Sequence, residues 1–387
     1  MKTTADAVVI GGGVIGCSIL YHLAHLGITN TSLVEKDVLG SGSTGRSQAI
    51  CRMHYSNPIT STLAWESLKT LTDFSEIVGG RSGFIKTGYM VIVDQADRPG
   101  LEQNISMQQA IGIDCQLISR EEATEIAPMI STYDGELMAW EPQSGYADSY
   151  QVTASFANSA KMMGAEIILR NQVENIVPST NDLYSVITTM GTIETPLIVV
   201  AAGPWSKQLL MSIGIDIPLT TVRHQVASIA RPTDLIPTHP SVGDAIHNFS
   251  FRPEVGGLTL VGFGEEDAML DQYNQGIDIA SVNQIMPSLI SRMPHMEDAY
   301  FRGGWSGLFT VTPDWHPILD KIPGHTGIYC AVGFSGHGFK LAPAVGQAMS
   351  ELIVHGQSSQ VDISILGFNR FALKELLTSS YQYNVLA

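Results

Sequence analysis

The sequence lacks three things: an apolar run of the roughly 18 residues needed to cross a bilayer, closely spaced cysteines, and positive charge. The first absence leaves no candidate membrane span. The four cysteines, Cys17, Cys51, Cys115 and Cys330, lie far apart and form no C-x-x-C pair. A metal site is therefore not expected, and a reducing compartment is the simpler reading. Lys and Arg number 21 against 37 Asp and Glu, a formal charge of −16. That balance gives no electrostatic reason to bind nucleic acid or an anionic membrane. A few cations on such a background can still mark a local site for an anionic substrate. Five residues precede the first strand-like run, too few for a signal peptide, so a cytoplasmic location is the expectation.

What is present suits a two-domain α/β enzyme. The chain has 387 residues, 44% of them hydrophobic, and 37 glycines, enough for a large core with many tight turns. Asp6-Ala7-Val8-Val9-Ile10 reads as a buried parallel strand. A helical pattern from Val14 to Leu26 follows, ended by Gly27, and a second strand from Thr31 to Val34 delivers Glu35.

Gly11-Gly12-Gly13-Val14-Ile15-Gly16 fits G-x-G-x-x-G. The first glycine permits the tight turn, the second lets backbone approach a pyrophosphate, and Gly16 lets the helix pack on the sheet. The pyrophosphate would rest on free N–H groups at the helix N-terminus, around Val14 and Ile15. Glu35 is placed to accept ribose hydroxyls, with Lys36 beside it. The whole β-α-β context makes a dinucleotide site firm, but this unit alone does not separate FAD from NAD.

Two further segments bear on that choice. Gly40-Ser41-Gly42-Ser43-Thr44-Gly45-Arg46-Ser47 is dense in glycine and hydroxyl groups and can wrap a phosphate or a ribityl chain. Later, Ile198 to Ala201 reads as a buried strand running into Ala202-Gly203-Pro204-Trp205, whose small residues let backbone lie against a cofactor. An NAD dehydrogenase does not need this late contact.

These segments, with Arg223-His224-Gln225, Thr312-Pro313-Asp314 and above all Gly333-Phe334-Ser335-Gly336-His337-Gly338-Phe339-Lys340, resemble the D-amino-acid oxidase-like flavoproteins. Within them the likeness is to the sarcosine oxidase, glycine oxidase and proline dehydrogenase branch, over nearly the whole length. The resemblance implies a Rossmann-type FAD-binding domain interleaved with an antiparallel-sheet substrate domain. By the alternation of patterns, residues 1–82, 141–219 and 302–387 form the first, and 83–140 and 220–301 the second. It also implies oxidation of a small amino acid at the amine carbon, with oxygen or another acceptor taking the electrons, and an oligomer of like or unlike chains is compatible with it. Val173 falls where the family contacts the adenine end.

The octapeptide also makes sense chemically. Its glycines let the main chain pass a flat ring, and a helix starting near Ala342 would point its positive end at the charge a reduced flavin carries. The resemblance further implies that Arg52 and Lys340 clamp the substrate carboxylate, with His54, Tyr55 and His337 lining the site. Departures from the family matter too. Relatives with covalent flavin use a cysteine where Gly307 stands, or a histidine where Arg46 stands, so FAD is expected to be bound non-covalently. The oxygen-activating lysine of monomeric sarcosine oxidases aligns with Thr259, which suggests an acceptor other than oxygen.

Overall fold

The computed structural model describes residues 2–179, 182–270, 272–379 and 381. Its first layer grows from the β-α-β unit the sequence announces: β1 (Ala7–Ile10), α1 (Val14–His25) and β2 (Thr31–Val34). The strands pair in parallel, Val9 opposite Leu33. They sit inside a six-stranded sheet ordered Ile318–Lys321, Ile328–Val332, Ile198–Val200, β1, β2, Glu166–Ile168. Only the first pair is antiparallel. The central strands are buried on both faces, which is why they are short, β-branched runs rather than alternating ones. On one face α1 packs against the helices Ser149–Met162 and Gly338–His355.

The second layer is an eight-stranded sheet ordered Tyr300–Val311, Thr220–Ala230, Leu258–Asp267, Phe249–Glu254, Ser241–Asp244, Tyr89–Asp94, Glu136–Glu141, Gln116–Ile118. Its pairs are antiparallel except Ser241–Asp244 with Tyr89–Asp94. Alternation decides what each face meets. Met90 and Ile92 join Val261, Phe263 and Leu289 in the core under the helix Ile279–Arg292. Tyr89, Val91 and Val93 belong instead to the core shared with α1. The large central cavity therefore opens on the side away from the Ile279–Arg292 helix.

Two sequence readings need correction. The border at 301/302 cuts the strand Tyr300–Val311, all of which belongs to the antiparallel sheet and pairs with Thr220–Ala230. Gly304 sits within this ladder, opposite Ala227. The substrate sheet thus runs on to Val311. The C-terminal helix begins at Gly338, four residues before the expected Ala342, and carries Pro343 inside it. Lys340 is therefore in its first turn. Two small sheets had not been anticipated: the meander Val173–Pro178, Tyr184–Thr188, Gly191–Thr195, and the set Ile50–Cys51, Gly145–Tyr146, Ile85–Lys86 that ties the two layers together.

One buried charge network fastens the Ile279–Arg292 helix to the sheet. Arg292 is fully buried and donates to Asp244 at 2.8 Å and to Glu136 at 2.8 Å. Asp244 also takes His247 Nδ1 at 2.9 Å. Removing one partner strands the carboxylates in a dry interior. Arg292→Ala is expected to lower unfolding free energy by about 3–5 kcal/mol, measured by denaturant titration, whereas Asp134→Ala, whose carboxylate is almost wholly exposed, should change it by under about 0.5 kcal/mol.

Candidate functional site

A cavity of about 510 Å³ runs from the end of β1 to the face of the eight-stranded sheet, within the size range of ligand sites. At its first end the chain turns at Gly11, whose φ of +112° is a left-handed conformation that favours glycine. A Cβ on Gly16 would lie 2.0 Å from the Gly11 carbonyl oxygen, so the helix can meet the strand only without one. Gly16 does its work by close packing and stands behind the cavity wall, while Gly11, Gly13, Val14 and Ile15 line it. α1 has no side-chain cap at Gly13 and no acidic residue in its first turn. Its positive end is left open to an anion.

Glu35 ends β2 with both oxygens anchored: Oε2 accepts Gly12 N–H at 2.7 Å and Oε1 accepts Asp37 N–H at 2.8 Å. Each oxygen keeps a lone pair for a ribose hydroxyl. Lys36 Nζ lies 3.3 Å from the centre of the Trp205 ring, and the pair closes the wall that Val173, Ala202 and Gly203 continue. Ser43, Thr44, Arg46 and Ser47 line the middle. Thr44 Oγ1 accepts Val14 N–H at 3.1 Å and Ser43 Oγ donates to the Leu308 carbonyl at 2.6 Å, which fixes the loop between helix and sheet.

Gly307 and Arg46, the two positions that bear on a covalent link, carry no group that bonds a flavin. A Cβ on Gly307 would stand 3.0 Å from Arg46 Cβ, and Trp305 Nε1 donates to the Arg46 carbonyl at 2.9 Å.

The whole octapeptide, Gly333, Phe334, Ser335, Gly336, His337, Gly338, Phe339 and Lys340, lies along the cavity. Ser335 adopts φ +47°, an uncommon conformation for a residue with a side chain, held by its N–H to the Thr310 carbonyl at 2.9 Å. His337 is buried; burial, with the charges of Lys340 and Arg52, pushes its pKa well below the usual value. It is neutral. Its Nδ1 is 3.4 Å from the Tyr55 hydroxyl, and its Nε2 has no hydrogen-bond partner among the described residues. A buried orphan of this kind on a cavity wall calls for a ligand to satisfy it. With the open helix end and the anchored carboxylate, it makes the site fit a dinucleotide with a flat polar ring.

Arg52 and Lys340 both line the cavity and are 5% and 9% exposed. The Arg52 guanidinium stacks 4.2 Å from the Tyr55 ring centre and donates to the His54 carbonyl. Burial, then the nearby Arg52 charge, lowers the Lys340 pKa to about 7.

Two expected residues fall elsewhere. His54 does not reach the cavity: its Nε2 meets the Tyr381 hydroxyl at 2.6 Å and its Nδ1 lies 4.0 Å from Glu141. Burial and the Arg52 charge drive its pKa to about 3, so it serves as a neutral packing group behind Arg52. His54, Cys115 and Glu141 bring ligand-type atoms within 4.8 Å of one another. Glu141, however, is already occupied by Met53 N–H, Ser144 Oγ and Gln108 Nε2. Thr259 faces the far side of its strand and hydrogen-bonds His239 Nε2 at 2.9 Å. The strand residues that reach the cavity are Gly262 and Gly264, with Gln48 packed against Gly262. Among the stretches that carry the resemblance, Arg223 proves structural, paired with Glu266 and Asp278, while His224 lines the cavity and stacks on Phe309 at 4.6 Å. Sequence reasoning missed Gln48 and Tyr89, which carry no motif; Tyr89 is marked only by its place at the start of a strand.

Known proteins match this arrangement. The chain is 27% identical to mouse mitochondrial sarcosine dehydrogenase over 92% of its own length but only 40% of that protein's, so it spans less than half of that relative. It is 27% identical to monomeric sarcosine oxidase of Bacillus sp. (strain B-0618), covering 97% of this chain and 99% of the relative. The crystal structure of L-proline dehydrogenase from P. horikoshii superposes with a TM-score of 0.90 at 28% identity, covering 97% of this chain and all of the other. The model of the DAO family, FAD dependent oxidoreductases, matches residues 6–352. The fold, the dinucleotide cradle and that match agree, and the chain belongs to the DAO family of FAD-dependent oxidoreductases.

Proposed function

We propose that this chain oxidises a small amino acid with a secondary or N-methyl amine, holding its carboxylate between Arg52 and Lys340. The observation that carries the reading is two buried cations on one cavity wall in a chain of net charge −16. Two cations brought to one cavity attract an anion that enters it. Arg52 offers a planar two-pronged donor and Lys340 a point charge. The names of the relatives, sarcosine dehydrogenase, monomeric sarcosine oxidase and L-proline dehydrogenase, fit substrates of this class. Bound FAD supplies the hydride acceptor. The residues' own part is to fix the carboxylate so that the amine carbon stays in one place, a positioning role. The resulting imine hydrolyses in water. Anaerobic bleaching of the flavin by sarcosine, dimethylglycine, proline, pipecolate and glycine identifies the substrate. Failure of all five would refute the assignment.

Each clamp contact is a charge-assisted hydrogen bond of about 1.5–3 kcal/mol. Arg52→Lys and Lys340→Met are each expected to raise KM roughly 10- to 100-fold. The sign of the pH effect follows from the depressed Lys340. Lys340 is charged below about 7 and loses its charge as pH rises through that value. KM should therefore rise above pH 7 in the wild type, and this inflection should vanish in Lys340→Met. A flat wild-type KM from pH 6 to 9 contradicts the clamp.

The reading extends to the electron acceptor. No lysine from the strand Leu258–Asp267 enters the cavity, where Gly262 and Gln48 stand instead. Electrons then pass to a partner subunit or a soluble acceptor rather than to oxygen. Stopped-flow mixing of the reduced enzyme with air-saturated buffer should give reoxidation no faster than free reduced flavin. Fast reoxidation would make the chain an oxidase.

A further inference from the structure

Tyr89 opens the strand Tyr89–Asp94 and is 2% exposed, yet it lines the cavity. Its neighbour across the parallel ladder is the segment Ser241–Asp244, with Ser241 opposite Tyr89 and Gly243 opposite Val91. The phenol lies over Gly243: a Cβ there would stand 2.1 Å from Tyr89 Oη and 3.1 Å from Cζ. Any other residue at 243 would push the ring out of this position. Arg52 Cζ sits 6.0 Å from the Tyr89 ring centre. Among the described residues no group hydrogen-bonds the Tyr89 hydroxyl. A phenol so enclosed, beside the Arg52 cation and without a hydrogen-bond partner among the described residues, is an unmet donor at the cavity.

We propose that Tyr89 is a third donor to the substrate carboxylate, beside Arg52 and Lys340, and that residue 243 is glycine to let the phenol reach it. This deepens the clamp reading and rests on it. Burial raises the Tyr89 pKa to about 12 despite the opposing pull of Arg52, so the hydroxyl keeps its proton and donates throughout the working pH range. A hydroxyl donor placed where a carboxylate oxygen must lie adds direction to two charges that on their own fix position loosely. The phenol face also narrows the cavity beside Arg52, which favours short amino acids over long ones.

The test uses the FAD-loaded enzyme and propionate, an unreactive short carboxylate whose binding perturbs the flavin absorption. Tyr89→Phe removes only an oxygen that bonds nothing among the described residues, so flavin content and Tm should hold while the propionate Kd rises about tenfold. Gly243→Ala should displace the phenol and give the same loss with Tyr89 intact. If Tyr89→Phe leaves Kd within about twofold while Arg52→Lys weakens it, the third donor is wrong and the clamp stands. If neither variant weakens propionate, the clamp itself fails and takes this proposal with it. Should Tyr89→Phe lose flavin, Gly243→Ala decides: unchanged Kd there overturns the assignment.

Discussion

The Arg52 guanidinium, buried where the two layers meet, sets the electrostatics of the groups around it. Its charge acts on the titratable groups beside it. After burial itself, the Arg52 charge helps bring Lys340 down to about 7, keeps His337 neutral and lowers His54. The same charge opposes the upward push of burial on Tyr55 and Tyr89. Tyr55 lies beneath the guanidinium and the His54 carbonyl accepts from it. Glu141 supports the arrangement from behind, and its pKa is raised by burial despite the hydrogen bonds of Met53, Ser144 and Gln108. The cation lines the cavity, where it attracts an anion that enters.

The cofactor half of the site was legible in the sequence because it is made of backbone. A close turn, a bare helix end and a carboxylate at a strand terminus demand particular residues at fixed spacing, so Gly11, Gly13, Gly16 and Glu35 announce themselves. The substrate half is made of side chains brought together by a sheet. Tyr89 and Gly243 are 154 positions apart and meet because two strands happen to run parallel. No local pattern encodes that. His54 shows the opposite error. His54 was expected at the cavity beside Arg52, but the segment from Arg52 to Tyr55 is irregular, and His54 faces Tyr381 and Glu141. Thr259 failed because one residue's parity in a strand decides between cavity and core. The border at 302 cuts a long strand whose glycine pair a twisted sheet absorbs.

The most recognisable segments are not all contact segments. Thr312-Pro313-Asp314 stays off the cavity wall and acts as a clip. Burial works against the Asp314 charge, but paired bonds from Arg370, at 2.7 and 3.0 Å, hold its pKa below the usual value. Arg370 also donates to the His316 carbonyl at 2.8 Å, and the His316 ring meets Asn57 Nδ2 at 3.3 Å. Asn57 caps the helix Pro58–Thr72 by accepting Thr60 N–H at 2.8 Å. A continuous chain of polar contacts therefore runs from the C-terminal segment to the helix that begins just after Arg52 and Tyr55. The guanidinium is held from two directions, by Glu141 through the Met53 backbone and by Asp314 through the Asn57 cap. A charge that must meet a carboxylate at one distance needs that kind of rigid support. The Thr312-Pro313-Asp314 segment then has a physical role: it fixes where the cation stands without touching what the cation binds.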